Sequence, residues 1–261
     1  PFQRPVLDVV PHAGRARGLL PVDLREIRGV EPPEVDELTR RVDLGLLAAD
    51  VALDPADPTR YVVDGKPMEM TRRTVSVPMP DGAEPVERTL YSTIYGPLVA
   101  MPQVGLAWTD TMAFSMRDAN SANQRALGTW VRIAQATNVD DVRKAVTETL
   151  GIPWVNTIVA DRYGNALHAD VTSVPNVSAE KVAECATPFS GLVASRLTLL
   201  DGARSECNWT VTKGTPVPGL LPASEQAIQQ RRDSVTNSND SYWLSNASAP
   251  NKQLSPILGA W

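Results

Sequence analysis

The sequence predicts an α+β fold, and three features lead there. Two pairs of segments read as strand–turn–strand, two helical segments lie between them, and the regular strand–helix alternation of a doubly wound parallel sheet is missing.

The first strand pair is TRRTVSVPM (71–79) with ERTLYSTIY (87–95). Both alternate polar and apolar side chains, and Asp81-Gly82 between them is a hairpin turn signal. Over residues 120–135, Ala126, Leu127, Trp130, Ile133 and Ala134 fall on one helical face. A second helix is expected to begin at Asn138, whose side chain can cap it with Asp141 at the third helical position, and to stop before Gly151. VNTIVAD, a DRYGN turn and NALHADV then form the second strand pair.

Residues 1–50 differ from the rest: they contain no Ser, Asn, Lys, Tyr, Trp, Cys or Met and are rich in Arg, Pro and Leu. Val35, Leu38, Val42, Leu46 and Ala49 recur at near-helical spacing, which predicts a helical arm. A segment read from the wrong frame of a GC-rich gene is the other reading of this break. The chain therefore divides into a divergent segment, 1–50, and a second part, 51–261. Because it begins with Pro1 rather than Met, a processed or excised piece is expected.

With 261 residues, 43% hydrophobic and 21% charged, the chain can bury a substantial core. A formal net charge of −5 and the absence of any Lys/Arg run argue against nucleic-acid and anionic-membrane partners. No apolar run approaches the ~18 residues of a membrane span. No phosphate-binding glycine motif appears, so a nucleotide site has no support. Cys185 and Cys207 have no second Cys or His at metal-ligand spacing, so zinc is not indicated. A disulfide between them suits an exported protein; two buried thiols are the alternative.

Candidate chemistry is sparse. His168 has Asp161 and Asp170 nearby in sequence, but no G-x-S-x-G elbow supports a self-contained serine hydrolase. A lone histidine on an alternating strand is expected to be structural. The conspicuous stretch is RRDSVTNSNDSYWLSN (231–246), with Asn237, Asn239, Asp240 and Asn246 set against Tyr242 and Trp243. An Asn amide is a good oxyanion donor because it supplies N–H groups and carries no charge to titrate. An Asn-rich turn capped by its own side chains is the other reading.

Five stretches resemble the β-subunit of the penicillin acylase family of N-terminal-nucleophile hydrolases, in family order. They are LDPADPTRYVVDG (53–65), LYSTIYGPLV (90–99), MRDAN (116–120), GIPWVNTIVADRYGNAL (151–167) and RRDSVTNSNDSYWLSN itself. The branch of acyl-homoserine lactone and aculeacin A acylases is the most similar. The resemblance implies an αββα four-layer fold, here incomplete, and hydrolysis of N-acyl amides by a Ser at the start of the β-subunit. That residue's α-amine serves as base, since its pKa near ~7.7–8.0 lets it take a proton at neutral pH. It further implies that Asn239 is the side-chain oxyanion donor, with Asn237 a weaker candidate, and that Trp130, Trp154 and Val155 line a fatty-acyl pocket. Both tryptophans would equally serve as core. No cofactor is expected, and a metal is not indicated: some relatives hold calcium, but no acidic cluster here matches their ligands. The resemblance further implies a secreted or periplasmic location and an α-subunit cut from the same precursor as partner.

The sequence departs from the family at its start. Pro1 has neither a hydroxyl nor a primary amine, and residues 1–50 match none of the strands that should carry a second oxyanion contact near Arg40. The expectation is a fragment of an acylase β-subunit without its nucleophile. The other reading is a non-catalytic relative that keeps a fatty-acyl pocket, motivated by Pro1 together with Trp130 and Trp154.

Overall fold

The computed structural model describes residues 46–80, 84–102, 105–193, 197–237, 244–251 and 258. The strands run β1 (Leu46–Asp54), β2 (Asp57–Val63), β3 (Lys66–Glu69), β4 (Thr71–Val77), β5 (Val86–Thr93), β6 (Gly96–Val99) and β7 (Met112–Asp118). Helices α1 (Arg125–Ala134) and α2 (Val139–Thr149) follow, then β8 (Thr157–Ala160), β9 (Ala166–Asp170), a short α3 (Ala179–Glu184), β10 (Leu199–Asp201) and β11 (Ala227–Arg231). One sheet has the order β3-β2-β1-β7-β6-β5-β4 with β10 added alongside β1, and a three-stranded sheet has the order β11-β9-β8. The β1–β10 pairing is parallel; the other strand pairs are antiparallel. This is the α+β organisation expected.

The β4–β5 hairpin forms in the register Thr71↔Ser92 to Val77↔Val86. Its Asp81-Gly82 turn lies outside the described residues, as do Val35, Leu38 and Val42 of the expected helical arm. The end of that arm is corrected: Leu46 and Ala49 belong to strand β1. β1 is flanked by β2, β7 and β10, and Ala48, Ala49 and Val51 are all buried. A strand covered on both faces loses its alternation, and its apolar run then imitates a helix. A second hairpin went unread. Asp64 (φ 51°) and Gly65 (φ 72°) make a two-residue turn between β2 and β3, pairing Val63 with Lys66. Both positive φ values suit the Asp-Gly dipeptide.

Helix α2 starts as its sequence dictates: Asn138 is extended and its side chain accepts the N–H of Asp141. It ends with Leu150 in the left-handed region (φ 44°). Val139, Val142 and Val146 are buried against Leu167 and Ala169 of β9, each such side chain contributing about 1.5–3 kcal/mol. Helix α1 forms, but its expected buried face does not: Leu127 is 74% and Trp130 47% exposed. The residue α1 buries is Thr129, which donates to Arg125 O at 2.9 Å and meets Thr149 Oγ1 at 2.7 Å. Two hydroxyls satisfied by the backbone and by each other let α1 and α2 approach without an apolar seam. Cys185 and Cys207 form a disulfide, with Val177 and Leu200 in the same buried cluster. No helix among the described residues is long and apolar enough to cross a membrane, and no cluster of metal-ligating side chains occurs among them.

Candidate active site

The site is built on the two faces of β9. Leu167 and Ala169 point into the core beneath α2, so strand alternation turns His168 to the opposite face. There it lies across from Gln229 on β11 and Ile158 on β8. His168 is 1% exposed. Its Nε2 is 2.9 Å from Asn156 Oδ1 and 3.4 Å from Asn237 Nδ2, while its buried Nδ1 has no hydrogen-bond partner among the described residues. Desolvation pushes the imidazole pKa below its usual value, so the ring is neutral at pH 7.

Gln229, the cross-strand neighbour of His168, holds two residues that follow 243, Ser245 and Ala249. Its Oε1 accepts from Ser245 Oγ at 2.6 Å and its Nε2 donates to Ala249 O at 2.5 Å. The two flanks of residues 238–243 are then tied together. Thr236 N donates to Ser245 O at 2.7 Å, and Asn246 Nδ2 donates to Ser234 O at 2.7 Å. Ser245 and Asn246 are buried. Asn246 therefore spends its amide on backbone closure, which explains one of the four polar residues in the conspicuous stretch. Asn239, Asp240, Tyr242 and Trp243 lie outside the described residues.

The segment 151–156 is fixed from its other side by MRDANSANQR (116–125). Asn120 Nδ2 donates to Pro153 O at 3.2 Å, and Asn123 Nδ2 donates to Gly151 O at 2.9 Å. Arg125 donates to Thr149 O at 2.9 Å and to Leu150 O at 3.2 Å, placing a cation at the C-terminus of α2 where the helix dipole favours it. Ser173 Oγ, buried below, donates to Leu150 O at 2.8 Å. Val155 is partly buried against the α2–β9 core, whereas Trp154 is 64% exposed. Trp130 is exposed on α1, as are Leu127 and Val131. The structure thus brings the Trp154–Asn156 segment and Asn237 together at His168. A cleft of about 500 Å³ beside the start of α2, lined by Ile133, Thr137, Val142, Val159 and Arg162, includes none of Trp130, Trp154 or Val155.

Away from this cluster, the Arg117 guanidinium stacks 3.7 Å over Trp209 and donates to Asn208 Oδ1, and burial lowers its pKa. The partners of His168 Nε2 are uncharged: the side-chain amides of Asn156 and Asn237. Such a cluster can hold neutral N–H donors in fixed orientation, which is what stabilising an oxyanion requires. Residue reading assigned His168 a structural role and gave Gln229 none. AIQQR is too polar to announce a strand, and without β11 nothing pairs Gln229 with His168.

Comparisons with known proteins identify the family. The penicillin amidase family model matches residues 47–257. An acyl-homoserine lactone acylase PvdQ of Pseudomonas fluorescens is 41% identical over 209 residues, which is 79% of this chain and 26% of that protein. The aculeacin-A acylase of Actinoplanes utahensis is 40% identical over 211 residues, 80% of this chain and 26% of that protein. The chain spans about a quarter of the length of the curated relatives it matches. Among solved structures, a thermostable penicillin G acylase from Alcaligenes faecalis superposes with a TM-score of 0.55 at 15% identity, covering 83% of this chain and 33% of that one. The arrangement of sheets and helices is therefore the fold of that penicillin acylase. On the family match across residues 47–257 and the two acylase relatives, the chain belongs to the penicillin amidase family.

Proposed function

We propose that this chain is part of the β-subunit of an N-acyl amide hydrolase and supplies its oxyanion donor and part of its acyl pocket. The observation that carries the reading is the tie between residues 234–237 and 245–246: Thr236 to Ser245, Asn246 to Ser234, and Asn237 beside a buried neutral histidine. Flanks held in this way reduce the reorganisation needed to present a side-chain amide, and Asn239 is the residue the family motif assigns to that amide. The nucleophile is a Ser whose α-amine acts as base, and it lies outside residues 1–261. The Ser oxygen attacks the acyl carbonyl as the α-amine takes its proton, giving a tetrahedral oxyanion that the Asn239 amide stabilises. The C–N bond then breaks and the amine leaves with that proton. Water hydrolyses the acyl-serine ester, releasing the acid and the Ser hydroxyl.

The substrate is an N-acyl homoserine lactone or the acyl side chain of a lipopeptide, as the names of the two relatives suggest. Cleaving the former would silence an acyl-lactone signal. Val155 and Trp154 form one wall of the acyl pocket, and Trp130 contributes from α1. The partner is an α-subunit released from the same autoproteolytic precursor, and the mature enzyme is secreted or periplasmic, where the Cys185–Cys207 disulfide persists.

The test is a chimera in which residues 51–261 replace the matching part of the P. fluorescens relative, assayed for amine release from N-acyl homoserine lactones. Hydrolysis supports the reading. A folded chimera that binds fatty acyl chains and turns none over favours the non-catalytic relative instead.

A further inference from the structure

The Cys185–Cys207 disulfide carries an inference that goes beyond the proposed function and does not depend on it. Arg204 is aimed at its sulfurs. Nη2 lies 3.0 Å from Cys207 Sγ and 3.5 Å from Cys185 Sγ, and it donates to Glu184 O at 3.1 Å. The guanidinium is held in that pose from its other edge, where Nε lies 3.2 Å from a Glu206 carboxylate oxygen and 3.5 Å from one of Asp201. A second cation stands close by. Lys181 Nζ donates at 2.8 Å to Glu206 O and to Asn208 O, the carbonyls on either side of Cys207. A neutral disulfide sulfur is a weak acceptor and gains little from a guanidinium. A thiolate gains much more, and a disulfide whose reduced form is stabilised is more readily reduced. The two carboxylates oppose this, but both engage the Nε edge, and Nη2 is the group that faces the sulfurs.

We propose that Cys185–Cys207 is a redox site opened reversibly by a dithiol reductant, with Cys207 leaving as a thiolate that Arg204 receives. One thiol of the reductant, as thiolate, attacks Cys185 Sγ. The S–S bond breaks, and its electron pair leaves on Cys207 Sγ beside Arg204. The second thiol, having lost its proton to water, attacks the reductant's own sulfur in the mixed disulfide. Cys185 then leaves and takes a proton from water. The two cysteines gain two electrons, and the dithiol ends as its cyclic disulfide. Both cysteines are buried, so the way in is the end of α3. That helix has six residues, buries none of them and closes on Cys185, and a short exposed helix frays readily. With the bridge open, the Asp201 N–H bond to Cys185 O at 2.8 Å and the two Lys181 bonds still hold the ends, which lets the site reclose.

The experiment uses the full chain, equilibrated at about pH 9 with mixtures of reduced and oxidised dithiothreitol, its free thiols trapped and counted by mass. Wild type, Arg204→Gln and Arg204→Lys are compared. Arg204→Gln is expected to need a roughly tenfold higher ratio of reduced to oxidised dithiothreitol for half-reduction, the effect of about one unit in a thiol pKa. Arg204→Lys keeps the charge and should stay within about threefold of wild type. The reduced wild type gives a reading that needs no variant. Its thiolate absorbance should show one cysteine titrating at least about one unit below the ordinary ~8.5, and alkylation at mildly acidic pH should modify Cys207 before Cys185. If Arg204→Gln does not fold, these two readings decide alone. Half-reduction of Arg204→Gln at the wild-type ratio overturns the proposal. So do two thiols that both titrate at or above ~8.5, as they would in an apolar core or in an unfolded reduced chain. A merely structural Arg204 would lower the unfolding midpoint of Arg204→Gln and leave the dithiothreitol ratio unchanged.

Discussion

Gly151 occupies a position where an added Cβ would stand 2.2 Å from Thr129 Oγ1 and 2.9 Å from Arg125 O. Its hydrogen is what allows α1 to sit against the end of α2. The residue is a glycine because of close approach, while the positive φ at that helix end is borne by Leu150. Gly151→Ala should therefore destabilise the chain by about 1–3 kcal/mol, the usual cost of overpacking. Adding Thr129→Ala should return part of that loss and leave the clash with the Arg125 carbonyl. Denaturant unfolding of the two variants measures both amounts.

The Cys185–Cys207 bridge closes a separation of 22 residues around β10. On the loop-entropy model, its reduction should cost about 3 kcal/mol, mostly by releasing the unfolded chain. Unfolding with and without reductant should show this loss. The Cys185→Ala/Cys207→Ala pair should reproduce most of it, with a smaller change because no thiols are left buried.

Asp161 offers an acid-range prediction. Its carboxylate accepts the Asn165 side chain first of all, then the backbone N–H groups of Asn165, Val139 and Tyr163, and these bonds hold its pKa down to about 2. A depressed carboxylate pKa gives stability that is complete above the ordinary value of 3.8 and is lost as pH falls from there through about 2. Carboxyl NMR titration should find Asp161 among the most acidic carboxylates. Asp161→Ala should raise exchange at the Val139 amide, the first residue of α2.

His168 makes the corresponding prediction nearer neutrality. Burial lowers its folded pKa below the ordinary 6.5, so the unfolded chain binds the extra proton first. The folded state should be fully stable above pH 6.5 and lose stability as pH falls toward the depressed folded value. The His168→Gln variant should remove that slope. Unfolding midpoints of both proteins at neutral and mildly acidic pH measure it. Equal slopes would mean that His168 is protonated as readily folded as unfolded.

Much of the fold was legible because local chemistry and final structure agree. Asn138 caps α2, Asp161 and Gly164 make the β8–β9 turn, and strand alternation announced the β4–β5 hairpin. Disagreement arose where neighbours far along the chain decide. β1 is buried on both faces and so imitates a helix, α1 turns Leu127 and Trp130 outward, and β11 is polar because Gln229 serves the loop rather than the core. Of the site, the sequence pointed to stretches that matter, since Asn156 of GIPWVN and Asn237 of the TNSND stretch both lie against His168. It did not show that His168 joins them, because a side-chain contact between positions 69 residues apart leaves no trace in either motif.

The most direct measurement is kcat for an N-acyl homoserine lactone in the chimera carrying residues 51–261, with and without Asn239→Ala. The account predicts clear turnover in the parent chimera and a loss of about 10²–10³ in kcat, with KM little changed, when the amide is removed. Equal kcat in the two proteins would mean that the oxyanion is held elsewhere, and the role proposed for Asn239 would be wrong.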